Sequence, residues 1–278
     1  MKNQPSTSLP QLFDLTGKSA IVTGGAGLLG KQFCHTLAAA GANVVVADLN
    51  QAAAQKVADA ITASGFIARA VSVDISNPDS VQALIDATLE AYGSLDILVN
   101  SAALDPKFDP QHSGQHANAF ESYPLEAWQQ ALDVNLTGLF LCSQAAVKTM
   151  LLQGGGVIVN LCSIYGISAP DQRMYQRQGQ PPQYKPVTYT VTKAGVLGLT
   201  KYLAAYYGAQ GIRVNALTPG GVFNDHDDEF VKAYSTRAVM GRMAEQDEMN
   251  GALLFLASDA SKYMTGANLI VDGGWTVW

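Results

Sequence analysis

The chain has 278 residues, of which 48% are apolar and 14% charged, and its 17 basic and 23 acidic side chains leave a net charge of -6. That apolar share builds a large core and excludes a disordered chain. The acidic balance argues against the broad cationic surface that a nucleic-acid partner needs.

Taken in order, a polar arm over 1–14 lacks the apolar stretch of a signal peptide, and no later apolar run approaches the ~18 residues of a membrane span. Short β-rich runs at 19–23, 43–48, 67–73, 95–100 and 157–161 read as strands. Stretches at 31–40, 51–64 and 78–92 carry apolar residues at spacings of three and four and read as helices. Gly41, Gly65 and Gly93 follow these helices, where a residue tolerating positive φ closes a helix. A long helix at 187–208, a strand at 212–217, a helix at 247–258 and a strand at 268–271 complete the pattern. Near-continuous Val/Ile/Leu strands alternating with helices predict a doubly wound parallel sheet, a three-layer αβα arrangement of Rossmann type. No repeat or linker divides the chain, so one domain over 15–278 is expected. Two polar segments, 104–123 and 169–186, exceed ordinary connection lengths and follow strands, where the ligand crevice of such sheets lies.

Cys34, Cys142 and Cys162 are far apart and form no CxxC or Cys/His cluster, so neither a disulfide framework nor a zinc site is expected. A reducing, cytoplasmic location follows. Cys162 reads as packing rather than as a nucleophile, because no cation adjoins it in sequence.

Thr23 to Gly30 reads TGGAGLLG between the first strand and the first helix, with GxGxxG at Gly25, Gly27 and Gly30. Glycines there permit a tight turn and close approach of backbone to a pyrophosphate, whose charge rests on the helix amino terminus. Asp48, 18 positions past Gly30, ends the second strand, where its carboxylate can accept from both hydroxyls of an adenosine ribose. With no cation at Leu49 or Asn50 to offset a 2'-phosphate, NAD is expected over NADP; the competing reading of Asp48 is a helix cap.

Tyr189 and Lys193 stand one helical turn apart, so an ammonium can lie near a phenol. Making a phenol that ionises near pH 10 into a base at neutral pH takes about 4 kcal/mol of preferential phenolate stabilisation. Lys193 and a nicotinamide cation are candidate sources. The plainer reading is a half-buried Tyr with a snorkelling Lys.

The chain resembles the short-chain dehydrogenase/reductase family over about Leu15 to Trp278, through TGGAGLLG, Asp48, VDIS at Val73 to Ser76, VNSAA at Val99 to Ala103, VNLTGLF at Val134 to Phe140, NLCSIYG at Asn160 to Gly166, YTVTK at Tyr189 to Lys193, IRVNALTPGGV at Ile212 to Val222 and TGANLIVDGGW at Thr265 to Trp275. The resemblance implies Tyr189 as general acid/base, Lys193 on the nicotinamide ribose and lowering the Tyr pKa, Ser163 on the substrate oxygen, and Asn135 holding a water that links Lys193 to solvent. It implies cofactor contacts at Gly24, Gly25, Gly27, Leu28, Leu29 and Gly30, at Asp48 and Leu49, and at Asp74 and Ile75 beside the adenine. Further contacts are implied at Asn100, Ser101 and Ala102, with Asn100 steadying the central sheet, and at the turn Pro219, Gly220, Val222 and Asn224. It also implies a homotetramer or homodimer, with the long helix and the tail from Trp275 to Trp278 near subunit contacts.

The chain departs from the family pattern at four places, one of them the usual NAG triplet, which reads Asn100-Ser-Ala here. Gly27 replaces the glycine that the pattern puts at Leu28, Asn224 stands for a frequent Thr, and Ser163 to Tyr189 spans 26 residues, roughly twice the usual gap. The extra segment is therefore expected to bulge outward. It carries Arg173, Arg177 and Lys185 against Asp171, and the earlier insertion adds Lys107, His112 and His116. Such cations suit an anionic substrate such as a sugar phosphate, or they belong to a solvated loop. The two His, i and i+4, read as structural rather than as metal ligands.

The sequence thus predicts an NAD-dependent oxidoreductase interconverting a secondary alcohol and a ketone on a small sugar or polyol derivative. Some turns resemble a bacterial branch linked to surface-glycan or nonulosonic-acid sugars, with gluconate-type dehydrogenases the nearest competitor. Two alternatives stay open, a nucleotide-sugar epimerase or dehydratase that recycles its NAD and a non-catalytic dinucleotide-binding regulator.

Overall fold

The computed structural model describes residues 8–105, 118–179 and 181–278. Lys107, His112 and His116, with the rest of 106–117, lie outside the described residues. Seven strands form one sheet: β1 (Ser19–Thr23), β2 (Asn43–Asp48), β3 (Ala68–Ser72), β4 (Ile97–Asn100), β5 (Gly156–Leu161), β6 (Ile212–Pro219) and β7 (Asn268–Val271), in the order β3-β2-β1-β4-β5-β6-β7. Each neighbouring pair runs parallel.

The apolar runs are continuous because successive side chains serve two helical layers. Ala20, Val22, Val44, Val46, Ile97 and Val99 pack with Phe33, Leu37, Ile61 and Leu253 on one face. Ile21, Val45, Ala47 and Leu98 pack with Leu84, Ile85, Ala146, Met150 and Leu203 on the other. The first face is covered by α2 (Leu28–Ala39), α3 (Gln51–Ala63) and α9 (Asn250–Ala257). The second is covered by α4 (Pro78–Tyr92), α6 (Leu139–Gln153) and α7 (Val187–Tyr207). These layers are the predicted αβα arrangement, and Gly41, Gly65 and Gly93 take the positive φ expected of them.

Ahead of β1, α1 (Leu9–Leu12) is a single turn, and Leu15 enters the core. Helix α2 starts earlier than its apolar periodicity suggests, because the extended Gly27 serves as N-cap and the glycine turn runs straight into the first turn. The strand-and-helix reading did not extend to 125–153. There α5 (Leu125–Leu132) passes through a π turn at Asp133–Gly138 directly into α6. Gly138 lies in that turn under Ile75, whose Cδ1 would be 2.7 Å from any added Cβ. A further helix, α8 (Asp228–Ser235), follows β6 and is capped by Asp227.

Strand order reverses between β1 and β4, and in sheets of this kind ligands bind in the crevice at that switch point, beyond the carboxyl ends of the strands. The glycine turn and Asn100 to Ala102 meet there. A Cβ on Gly24 would fall 2.7 Å from the Ala102 Cα. No helix among the described residues is long and apolar enough to cross a membrane.

Candidate active site

The turn after β1 is built by contacts that only glycine allows. A Cβ on Gly30 would lie 2.0 Å from the Gly24 carbonyl oxygen, so the helix start and the turn are in direct backbone contact. Gly27 offers no capping side chain, so the first-turn N-H groups at Leu28, Leu29 and Gly30 remain donors for an outside anion. The Asp48 carboxylate reaches this turn: Oδ2 accepts from the Ala26 N-H at 3.0 Å and Oδ1 from the Asn50 N-H at 3.0 Å. Helix α3 is capped by Asn50, which accepts from the Ala53 N-H, so the cap reading of Asp48 is excluded. Leu49 stands exposed beside it. Asp74 accepts from both the backbone and the hydroxyl of Ser76, and Ile75 is buried behind it. This anion-ready turn and a paired carboxylate at the end of β2 fit a dinucleotide.

At the end of β4, the Ser101 and Ala102 N-H groups donate to the Thr23 hydroxyl, fixing β4 against β1. Asn100 donates to Ser143 and to Asn160, which in turn donates to Thr200 on α7. This buried chain ties β4, β5, α6 and α7 together. At the other side of the crevice, Gly220 donates to the Val271 carbonyl, Gly221 to the Tyr234 hydroxyl, and Val222 bridges to Ala244. The Asn224 N-H donates to His226 Nδ1.

Ser163, Tyr189 and Lys193 come together over the end of β5. Ser163 caps a short 3-10 turn, its Oγ accepting from the Tyr165 N-H at 3.2 Å, and its hydroxyl favours the ionised form of the Tyr189 phenol. Lys193 is buried and donates to the Leu161 carbonyl at 2.8 Å, with Nζ 5.9 Å from the Tyr189 ring centroid. Burial pushes the ammonium down to about 8. Burial also raises the Tyr189 phenol, and the Asp105 carboxylate raises it further, while the Ser163 hydroxyl works in the opposite direction. In the chain alone the phenol therefore stands above its ordinary value, where a depression by Lys193 was expected, because removing the phenolate from water is the largest effect on it.

Asn135 lies in the π turn, a break in helical spacing that often marks functional positions. Its amide holds Leu104: Oδ1 accepts from the Leu104 N-H at 2.6 Å, and Nδ2 donates to the Leu104 carbonyl at 3.0 Å. Asn135 thereby anchors the start of the first insertion.

The second insertion turns inward instead of bulging out. Met174 and Tyr175 are buried with Tyr165, Tyr234 and Trp275, an aromatic cluster against which Tyr189 packs. Tyr175 donates to the Tyr165 hydroxyl at 3.0 Å, and Tyr165 meets Tyr189 and Trp275 edge-on. Its cations are paired. Arg173 is bound to Asp171 with its side chain 84% exposed, and Asp171, also held by Arg237, is lowered to about 2, chiefly by the Arg173 bond. Arg177 binds Asp227 at 2.7 Å and the Met174 and Gln176 carbonyls, pinning the insertion to α8. Neither arginine is a free anion contact. Lys185 is the member that reaches the site, with Nζ 4.1 Å from the Tyr189 ring centroid and 2.7 Å from Asp105. In the tail, Trp275 is buried within its own chain, whereas Trp278 is exposed and donates to the Arg237 carbonyl.

Sequence reasoning missed Asp105, Tyr165, Tyr175, Tyr234 and the inward role of Trp275. They come from five separate segments with no common period; the only local signal was that Tyr165 and Trp275 stand inside quoted motifs. A hollow of about 580 Å³ lined by Leu12, Phe255 and Tyr263 shares no residue with this constellation.

A family model described as "Enoyl-(Acyl carrier protein) reductase" matches residues 25–276. A protein of Aspergillus oryzae named "Short chain dehydrogenase/reductase astE" is 38% identical over 96% of this chain and 98% of its own length. "D-threitol dehydrogenase" of Mycolicibacterium smegmatis is 36% identical over 95% of each chain. The crystal structure of a gluconate 5-dehydrogenase from Burkholderia cenocepacia J2315, in complex with NADP and tartrate, matches with a TM-score of 0.85 at 30% identity over 98% of this chain and 100% of that one. The chain belongs to the short-chain dehydrogenase/reductase family, whose members bind NAD(P) and whose relatives named here include dehydrogenases of alcohols.

Proposed function

We propose that the chain interconverts a secondary alcohol and a ketone on a small sugar or polyol derivative, with NAD preferred over NADP and a place in carbohydrate metabolism. The observation that carries this reading is the convergence of Ser163, Tyr189 and Lys193 over the end of β5, beside a dinucleotide-shaped glycine turn. The first turn of α2 would hold the pyrophosphate, Asp48 the adenosine ribose, Asp74 and Ile75 the adenine side, and Lys193 the nicotinamide ribose. Ser101, Ala102, Pro219, Gly220, Val222 and Asn224 would border the nicotinamide. The bound nicotinamide supplies a hydride acceptor at neutral pH and a positive charge next to the phenol.

Tyr189 Oη takes the proton from the substrate hydroxyl in oxidation and returns it in reduction. Ser163 Oγ holds the substrate oxygen and donates to it as charge develops. Lys193 Nζ supplies the near positive charge, and its low affinity for a proton in this buried site suits it to pass one onward. Asn135 fixes Leu104 and so the mouth of the crevice. The aromatic cluster excludes water from the reacting carbon.

The Asp48 carboxylate supports NAD, since it would repel a 2'-phosphate; the gluconate 5-dehydrogenase neighbour holds NADP. Tyr189→Phe is expected to keep NADH binding, read by fluorescence, and to lose about a thousandfold in turnover. Retention of most activity would refute the mechanism, and turnover without net NAD(P)H formation would favour an epimerase. We also propose a homotetramer or homodimer, supported by the exposed Tyr202 and Tyr206 stacked on α7. A monomer in light scattering at micromolar concentration would refute it.

A further inference from the structure

The Lys185–Asp105 pair joins the two insertions beside the reacting tyrosine. Lys185 comes from the second insertion and Asp105 from the first, and the ammonium bonds both carboxylate oxygens, at 2.7 and 2.9 Å, while lying over the Tyr189 ring. Both partners are held by reciprocal amide clamps. The Gln172 side chain accepts from the Lys185 N-H at 2.8 Å and donates to the Lys185 carbonyl at 3.2 Å. The Asn135 side chain makes the same two bonds to Leu104, the residue before Asp105. A surface ion pair of chance would not need two dedicated clamps, whereas a recognition pair must be preorganised.

The pair is electrically neutral yet keeps hydrogen-bonding capacity. An ammonium has three donors and a carboxylate about four lone-pair positions, and their mutual contact uses only part of each. Lys185 is largely buried at 13% side-chain exposure, while Asp105 is open at 44%. An anion approaching Lys185 would meet the Asp105 charge. Of the other cations of the insertion, Arg177 is compensated by Asp227 with Glu229, and Arg173 shares Asp171 with Arg237. Lys185, the cation of this insertion that lies over the Tyr189 ring, therefore offers an incoming carboxylate no uncompensated positive charge.

We propose that Lys185 and Asp105 form the specificity subsite for a second hydroxyl of a neutral diol or polyol, Lys185 donating to it and Asp105 accepting from it. This rests on the reading of the site as an alcohol oxidoreductase and names its substrate class. Tyr189 takes the proton of the reacting hydroxyl, and the pair receives the hydroxyl one or two carbons away, within reach of an ammonium stacked on the same ring. A substrate with one hydroxyl gains nothing from the pair, and a sugar acid is repelled by half of it.

The test measures NAD(P)H formation with 2-butanol, 2,3-butanediol, threitol and gluconate, using the full chain and its Lys185→Met, Lys185→Arg and Asp105→Asn variants. NADH binding is checked for each variant as evidence of folding. The wild type is expected to prefer the diol over 2-butanol and threitol over gluconate. Lys185→Met should lower the diol-to-monoalcohol ratio of kcat/KM by about tenfold to a hundredfold, the loss of a charge-assisted hydrogen bond, with most of it restored in Lys185→Arg. Asp105→Asn, which tests the pair even where Lys185→Met does not fold, should lower the same ratio and raise gluconate relative to threitol. Unchanged ratios in both variants, or a wild type preferring gluconate, would overturn the subsite while leaving the oxidoreductase reading standing. A wild type that binds NADH yet oxidises no alcohol would overturn that reading and the subsite with it.

Discussion

Replacing Lys193 by Met should make the cofactor-free protein more stable at neutral pH while removing its activity. Lys193 is 5% exposed, and its ammonium titrates at about 8 instead of 10.5. That difference corresponds to about 3 kcal/mol of charge-burial cost. Met has a similar length and no charge, so the cost disappears, while the Leu161 carbonyl loses a donor worth about 1 kcal/mol. The net gain is about 2 kcal/mol, or about 4 °C in Tm for a chain of this size. The sign with pH follows from proton binding. Below about pH 8 both states hold the proton and the full cost is present; between about 8 and 10.5 the unfolded chain binds it and the folded chain does not, so wild-type stability rises. Urea unfolding at pH 7 and at pH 10 tests both parts. The variant should lead at pH 7 and lose that lead by pH 10. A variant less stable at pH 7, or a difference independent of pH, would show that Lys193 is not held at a cost, and that the site does not trade stability for a reactive amine.

Asp48→Asn keeps the shape that accepts the Ala26 N-H and removes the charge. The NAD-to-NADP ratio of kcat/KM should fall about tenfold, and an unchanged ratio would leave the carboxylate only bracing the turn. Arg177→Ala should leave the KM for gluconate within about twofold but cost about 1–2 kcal/mol in urea unfolding and open the 169–186 segment to limited proteolysis, because the guanidinium holds Met174, Gln176 and Asp227. A several-fold rise in that KM at unchanged stability would return Arg177 to the substrate.

Much of the architecture is legible without coordinates, since a buried parallel strand must be apolar on both faces and its crossover helix must be amphipathic. Val44 to Ala47 could only be such a strand, and the glycines after each helix had one conformation that suited them. The 125–153 stretch escaped because α5, the π turn and α6 form one run in which the apolar spacing shifts, so no single period describes it. Tyr189, Lys193, Ser163 and Asp48 were readable because each stands within a local motif. Setting aside the cap reading of Asp48 required seeing that Asn50 already capped α3.

Charge shows the boundary most plainly. Three cations against one acid in 169–186 read as a basic loop, and within that segment the count is right. The fold brings in Asp105, Asp227 and Glu229 from segments far away in sequence and pairs Lys185 and Arg177 with them. Sequence by itself determined the αβα fold and the placing of Tyr189 and Lys193 one helical turn apart, because those depend on short-range periodicity and spacing. The surroundings of that chemistry, an aromatic wall and a neutral Lys185–Asp105 pair over the Tyr189 ring, were decided only by tertiary structure. Electrostatic and packing partners are chosen by distance in space, which no local pattern encodes.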